Sequence, residues 1–303
     1  MKPRVLVIGG SGFVGKNLTN RLTVLEYLSI VPTRHQNLSI SKEKNSLCSA
    51  VYVQDLSQAS VDEIIKTLQP TDVVINLVGV LHAEQTMPYG PEFQEAHIDI
   101  PKFIIQSMQQ FGLKRYIHMS ALGADKNGPS MYLRSKGVAE ALVKNSGLDW
   151  TIFRPSVIFG PDDNFINMFG KLQKYFPVMP LSGAGNLFQP VAIKDVVEAF
   201  VASIDRPQTI HQSYDLGGPE VLTLKQIIQF AAKKQGISRP VIPLPKWAGY
   251  LQALLLEKLP GPTIMSRDNV ASMKLPSILS PDQPNALTEV FGIHPSSLES
   301  LLK

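Results

Sequence analysis

The sequence predicts an α/β fold: a doubly wound parallel sheet of the Rossmann type, carrying a smaller and partly discontinuous C-terminal lobe. Two observations predict it. The first 160 residues alternate short β-rich runs with helical periods, the pattern of βαβ units. A glycine-rich turn, "GGSGFVG", joins the first strand to the first helix, where such sheets hold a phosphate.

Each element can be justified in order. "RVLVIG" (4–9) is a short apolar run bounded by glycine, so it reads as a buried strand. "VGKNLTNRLTVLE" (14–26) has helical periodicity. "LSIVPTR" (28–34) is a second strand, with Pro32 pointing to an irregular end because it removes a ladder donor. "AVYVQDL" (50–56) is a third. "VDEIIKTLQP" is a helix stopped by Pro70. "DVVINLVG" (72–79) is almost wholly apolar, which suits a strand covered on both faces. "IPKFIIQSMQQFG" (100–112) is a helix ended by Gly112, and "RYIHMSA" (115–121) a fifth strand. "SMYLRSKGVAE" (130–140) lies in the next helix, and "DWTIFRPSVIFGP" (149–161) is a sixth strand running into a loop.

After Pro161 the rhythm changes and prolines and glycines become denser. Residues 1–160 are expected to form the nucleotide-binding domain and 161–303 the smaller lobe. Within it, 190–206 ("AIKDVVEAFVASI" and its flanks) is expected to return to the sheet. "LTLKQIIQFAAKKQG" is a capped helix closing at Gly236. "WAGYLQALLLEKL" places Trp247, Leu251, Leu254, Leu255 and Leu259 at amphipathic spacing. Packing over a substrate cleft is one reading of that stripe; a membrane-surface or quinone-facing helix is the other.

Bulk composition narrows the function. The chain has 303 residues, 44% hydrophobic and 18% charged, an ordinary globular balance. Its net charge of +4 is spread without a run of like charges, so nucleic-acid binding is not expected. One cysteine, Cys48, excludes an internal disulfide framework and suits a reducing cytosol. No C-x-x-C or H-x-x-x-H spacing is present, so no metal site is expected. The N-terminal apolar run is cut by glycines and lacks a small-residue cleavage site, unlike a signal peptide. No stretch approaches the roughly 18 apolar residues of a membrane span.

The site residues follow from chemistry. Gly9, Gly12 and Gly15 offer bare backbone N–H groups to a pyrophosphate at a helix N-terminus. At the end of the second strand, where NAD-preferring sites carry an acid, "PTRHQN" carries Arg34. A guanidinium there would pair with a 2′-phosphate, so NADP(H) is expected ahead of NAD(H). His35 is a second basic group beside it. Asp55 ends the third strand, placed either to accept from an adenine amino group or to begin a helix. Ser120 ends the fifth strand at the crevice edge. Tyr132 and Lys136 are one helical turn apart. A phenol titrates near 10, so proton exchange near neutrality needs a positive neighbour, which Lys136 would supply. In this set Tyr132 is the acid/base, Lys136 lowers its pKa, and Ser120 orients the substrate.

With the glycine loop, Ser120 and Tyr132-x-x-x-Lys136 in that order, the chain resembles the short-chain dehydrogenase/reductase superfamily, in its extended and atypical branch. "SMYLRSKGVAE", "FRPSVIFGPDDNFINMF" and "PVAIKDVVEAF" are most similar to the group of the NADPH-binding, non-catalytic accessory subunit of mitochondrial complex I and its bacterial relatives. The likeness covers about residues 3 to 220. It implies that Gly9, Ser11, Gly12, Phe13, Val14 and Gly15 hold the pyrophosphate, and Arg34 the 2′-phosphate. It also implies that Asp55 and Leu56 flank adenine, that Leu77, Val78 and Gly79 line the ribose side, and that Pro155, Ser156, Val157 and Ile158 pack against the nicotinamide. Ile8 replaces the group's usual threonine before the loop.

The resemblance points two ways. The superfamily motif implies an NADP(H)-dependent oxidoreductase acting on a small molecule, with quinone-related chemistry one option. The nearest group implies an accessory or assembly protein of the respiratory chain or quinone system, peripheral to the inner membrane, with NADPH as a structural ligand. A nucleotide-sugar epimerase or dehydratase is a third option; against it, Arg206, Arg239 and Arg267 are scattered and form no diphosphate clamp.

Overall fold

The structure is a computed structural model, and it describes residues 2–34, 47–163, 165–258, 263 and 265–302. His35 and Leu259, both named above, lie outside the described residues.

Val5–Ile8 (β1) is apolar at all four positions and fully buried, so it takes an interior place in the sheet. Helix α1 (Phe13–Val24) leads to β2 (Ser29–Thr33) and β3 (Cys48–Tyr52). Helix α2 (Gln58–Ile65) precedes β4 (Val73–Asn76). A helical stretch then runs from α3 (Pro91–Phe93) through a π turn (Gln94–Asp99) into α4 (Ile100–Gln110). Next come β5 (Arg115–Met119), α5 (Met131–Lys144), β6 (Asp149–Pro155), β7 (Ile158–Phe159) and α6 (Phe165–Tyr175). Strands β8 (Met179–Ser182), β9 (Leu187–Phe188) and β10 (Val191–Ala192) lead to α7 (Ile193–Ile204) and β11 (Gln212–Leu216). The chain ends with β12 (Leu222–Thr223), α8 (Leu224–Lys234), β13 (Val241–Leu244), α9 (Lys246–Leu256), α10 (Arg267–Ser272) and α11 (Ala286–Glu289).

Among the described residues the main sheet has seven strands, all parallel, in the order β11-β6-β5-β4-β1-β2-β3. The winding reverses between β1 and β4, and this switch point opens a crevice at the carboxyl ends of both strands. Pro32 lies in β2 beyond the register with β1, which stops at Leu6↔Ile30, so its missing N–H costs no bond there.

Three elements differ from the sequence reading. The seventh strand, β11, was not expected: "QSYDL" is short, largely half-exposed and at the sheet edge, where no apolar run is required. The helix expected to start at Ile100 starts at Pro91. Pro101 cannot bond to the carbonyl of residue 97, and the chain widens to π geometry just before it. The sixth strand ends at Pro155, and Ile158–Phe159 pairs separately with β10.

Two apolar cores cover the sheet faces. One joins α1 and α7, with Phe153, Phe200, Leu287 and Phe291. The other joins α2 and α4, with Tyr116 and Trp150. A third, around Phe169, Leu181, Ile227 and Ile228, holds the smaller lobe together.

Candidate functional site

The glycine turn is built by exclusion of side chains. Gly9 adopts φ +85°, and a Cβ there would lie 2.9 Å from the Leu77 carbonyl carbon. A Cβ on Gly15 would lie 2.4 Å from both Gly10 Cα and Gly9 O. These glycines let the turn fold against β4 and against itself. Gly12 differs, with only Gly9 O at 3.4 Å, so its outer side is open. It is the N-cap of α1 and supplies no side-chain hydrogen bond to the first turn. The early N–H groups of α1 are therefore free for an anion, and the turn fits a dinucleotide pyrophosphate. Ser11, Phe13 and Val14 are half-buried around it.

Arg34 is exposed at the end of β2. Asp55 is exposed as well; the Ser57 hydroxyl, then Ser57 N–H (3.0 Å) and the Ser60 hydroxyl (3.0 Å), hold its carboxyl below the usual range. It starts the turn into α2, the helix-initiating alternative of the sequence reading, and Leu56 packs into the adjacent core. Leu77 N–H bonds to Ile8 O (2.8 Å), and Val78 N–H to Asn76 Oδ1 (3.0 Å). The β4 end is thus pinned against the glycine turn.

From α5, Lys136 reaches the end of β4 beside this crevice, and Tyr132 lies one turn before it. A Cβ on Gly79 would lie 3.3 Å from Lys136 Nζ, so glycine leaves room for the ammonium. Lys136 is 2% exposed, and Nζ donates to Met119 O at 3.2 Å. Burial draws its pKa down to about 8, against the pull of Glu140 toward the charged form. Tyr132 packs against the stacked rings of Phe93 and His97, with centroids 6.0 and 5.6 Å away, yet keeps partial solvent contact. Its hydroxyl has no hydrogen-bond partner among the described residues. Burial pushes it up to about 12, the reverse of the lowering by Lys136 that the sequence led us to expect, because desolvation of the phenolate dominates here.

Helix α5 is locked at its start from two directions. Ser130 is the N-cap and accepts from Leu133 N–H at 3.1 Å. Asp268, from α10, accepts from Met131 N–H (2.6 Å) and Tyr132 N–H (3.0 Å) and is 4% exposed. A third tie runs through His97. Its Nε2 accepts from Val80 N–H (3.1 Å), which leaves the proton on Nδ1 to donate to Ser135 Oγ (2.8 Å). Ser135 in turn donates to Tyr132 O (2.8 Å). Burial, and then the charge of Lys136, hold His97 neutral.

Ser120 is placed at the strand end as expected, but its hydroxyl donates to Glu140 Oε1 at 2.7 Å. The substrate-orienting proton expected of it is spent on a buried carboxylate, and only its lone pairs remain. Glu140 also accepts from Arg154 Nε (2.7 Å) and Nη2 (2.5 Å) and pairs with Lys144 (3.0 Å). Burial pushes the Glu140 carboxyl up, but these donors outweigh it and hold it low. Ser156 is likewise turned inward and donates to Ser277 O at 2.7 Å, while Pro155 is buried and Val157 and Ile158 remain half-buried.

His97, Glu140, Arg154 and Asp268 escaped the sequence reading. Glu140 was findable, since Tyr132, Lys136 and Glu140 follow at four-residue intervals on one helix face. Asp268 carries no local signal, being 137 residues from Met131. Among the described residues no group of His, Cys, Asp and Glu could hold a metal, and no helix is long and apolar enough to cross a membrane.

Comparison with known proteins agrees with this geometry. The profile described as "NAD dependent epimerase/dehydratase family" matches residues 5–217. The chain belongs to that family. It is 30% identical over 289 residues to "NADH dehydrogenase [ubiquinone] 1 alpha subcomplex subunit 9, mitochondrial" of Arabidopsis thaliana, covering 93% of this chain and 69% of that protein. It is 26% identical over 289 residues to a UDP-glucose 4-epimerase of Vibrio cholerae, covering 85% and 84%. In fold it matches the Thermus thermophilus UDP-glucose 4-epimerase in complex with NAD, with TM-score 0.68, 20% identity, and 89% and 99% of the two chains covered. The seven-stranded parallel sheet is thus the sheet of an epimerase/dehydratase-family Rossmann domain.

Proposed function

We propose that the protein binds NADP(H) across the crevice between β1 and β4, and that Tyr132 and Lys136 act there as an acid–base pair in the oxidoreduction of a small carbonyl or hydroxyl compound. One observation carries the reading. The Tyr132 hydroxyl is left without a protein partner, while its helix is fastened by Ser130, Asp268 and Ser135 and Lys136 is buried one turn away.

Gly9, Gly12 and Gly15 would hold the pyrophosphate, Arg34 the 2′-phosphate, and Val157 and Ile158 would bound the nicotinamide. The bound nicotinamide supplies the hydride donor or acceptor. Tyr132, held near 12, is a phenol at neutral pH and is poised to give its proton to a substrate oxygen. Lys136 remains mostly charged below about 8 and offsets the negative charge left on the tyrosine.

A second reading rests on Ser120. With its proton committed to Glu140, the usual donor that orients a carbonyl is missing, which favours a protein that retains the nucleotide without turnover. Similarity to the alpha subcomplex subunit 9 proteins supports that version: an accessory or assembly role at the surface of the membrane that holds the quinone pool.

Nucleotide released from purified protein should be NADP(H), and added quinones, aldehydes and ketones should then be screened as oxidants of bound NADPH. Tyr132→Phe should lower turnover about 100-fold or more without weakening nucleotide binding. Turnover indifferent to that change would sink the acid–base assignment; retained NADPH that no acceptor oxidises would favour the second reading. Arg34→Ala should weaken NADPH about tenfold or more while leaving NADH nearly unchanged. Equal losses would reverse the cofactor preference.

A further inference from the structure

The outer face of the smaller lobe is built unlike the rest of the surface. Helix α9 packs on β8 through its small residues: Gly249 lies against Ser182, where a Cβ would come within 1.9 Å of the hydroxyl, and Ala253 is fully buried one turn later. The large apolar residues therefore point away from the protein. Trp247 is 72% exposed, Leu251 49% and Leu255 60%, with Tyr250 beside them. Of the stripe named from the sequence, Leu254 is half-buried and Trp247, Leu251 and Leu255 face solvent, so the stripe is not closed over by the protein itself.

Further exposed apolar residues lie at the near end of β8. Strand β13 pairs in parallel with β8, and α9 then runs back along β8, from Gly249 at Ser182 to Gln252, whose Nε2 donates to Pro180 O at 3.3 Å. Its C-terminal end therefore approaches the turn before β8, where Phe176 is 53% exposed and Val178 is exposed too. Exposed aromatic and aliphatic residues gathered on one helix in this way mark an interaction site.

Charge decides the occupant. Residues 165–182 and 224–258, which make up α6, β8, α8, β13 and α9, carry eight lysines and arginines against a single acid, Glu257. That is a net of +7 in a chain whose total is +4. Glu257 is itself engaged by Arg267 at 2.8 Å. Lys171 and Lys174 flank the Phe176 turn, and Lys246 and Lys258 bracket α9, all exposed. The bias is spread over segments far apart in sequence, and the packing of α6 on α8 and α9 on β8 gathers it into one lobe.

We infer that this face docks on an anionic membrane surface, with Trp247, Leu251 and Leu255 entering the interfacial layer and the lysines meeting acidic headgroups. An amphipathic helix with aromatic residues on its apolar side and cations at its margins has the chemistry that binds such a layer. The lobe lies peripherally on the bilayer, since no described helix is long enough to span it.

The test uses the full-length protein with vesicles of phosphatidylcholine alone or mixed with phosphatidylglycerol. Co-sedimentation should require phosphatidylglycerol and weaken with salt. The emission of Trp247 should shift to the blue on binding; Trp150, the other tryptophan, is already buried and contributes little change. Lys171→Gln and Lys174→Gln should each lower the partition coefficient about fivefold. Leu251→Ser with Leu255→Ser should abolish binding, with the far-ultraviolet spectrum and Tm unchanged because both side chains are exposed. Three results would overturn the inference: no binding to either vesicle, binding that survives the double serine variant, or a concentration-dependent dimer that the same variant dissolves, which would make a second copy the occupant. No nucleotide or turnover enters this assay, so its failure leaves the NADP(H) reading standing, and the converse.

Discussion

Lys136 carries a stability cost that its surroundings only partly offset. It is fully buried, and its Nζ donates to a main-chain carbonyl, so its charge is held mainly by geometry. Its pKa falls from 10.5 to about 8 on folding. Between those values the unfolded chain binds more protons than the folded one, so this residue's contribution to stability rises with pH across that window. Below about pH 8 the buried charge costs its full amount, at most about 3 kcal/mol. Lys136→Met should therefore stabilise the protein at pH 7, and the difference between variant and wild type should shrink from about pH 8 to pH 10. Denaturant melts across that range check it; parallel curves would mean that Lys136 is not desolvated as described. If the acid–base pair proposed above operates, the same loss of charge above about pH 8 should reduce turnover in the wild type.

At the scale of elements, α5 depends on the smaller lobe for its geometry. Ser130 caps it locally, but the Met131 and Tyr132 N–H groups end on Asp268, whose own helix begins with a Ser266–Asn269 capping box. Charge-assisted caps of this kind are among the stronger hydrogen bonds. Asp268→Ala should cost about 2 kcal/mol, and Asp268→Asn less. A double-mutant cycle with Ser130→Ala should show coupling, since both serve one helix start and Ser272 joins them by a hydrogen bond to Ser130 (2.8 Å). Strict additivity would argue that the two caps act on separate structures. The π turn before α4 is a second element-scale device. It sets His97 between Val80 and Ser135, which fixes the β4 loop relative to α5.

For the molecule as a whole, three cores carry separable duties: two clamp the sheet, and the third holds the lobe that presents α9. Gly249→Val tests the separation. Its side chain would overlap Ser182, so α9 should lift from β8 at a cost of about 1–3 kcal/mol. Proteolysis should then begin between Pro245 and Lys258 while NADPH affinity stays within about twofold, since the glycine turn belongs to the sheet domain. A parallel loss of nucleotide binding would show that the lobes are coupled more tightly than their packing suggests.

By itself the sequence determined what short-range chemistry encodes. The "RVLVIG" run with its glycine turn, the alternation of strand and helix, and the four-residue spacing of Tyr132 and Lys136 are all local patterns. Periodicity and the steric freedom of glycine make such patterns readable without a fold. The tertiary structure decided where hydrogen bonds and burial go, because those depend on partners that only packing brings together. It turned the Ser120 proton onto Glu140, to which Arg154 also donates, capped α5 with an aspartate 137 residues downstream of Met131, and added β11 at an edge too polar to announce itself. It also set Gly249 and Ala253 against β8, which leaves the tryptophan and leucines of α9 facing outward. Helical periodicity defines a stripe, but which stripe is buried depends on the surface it meets.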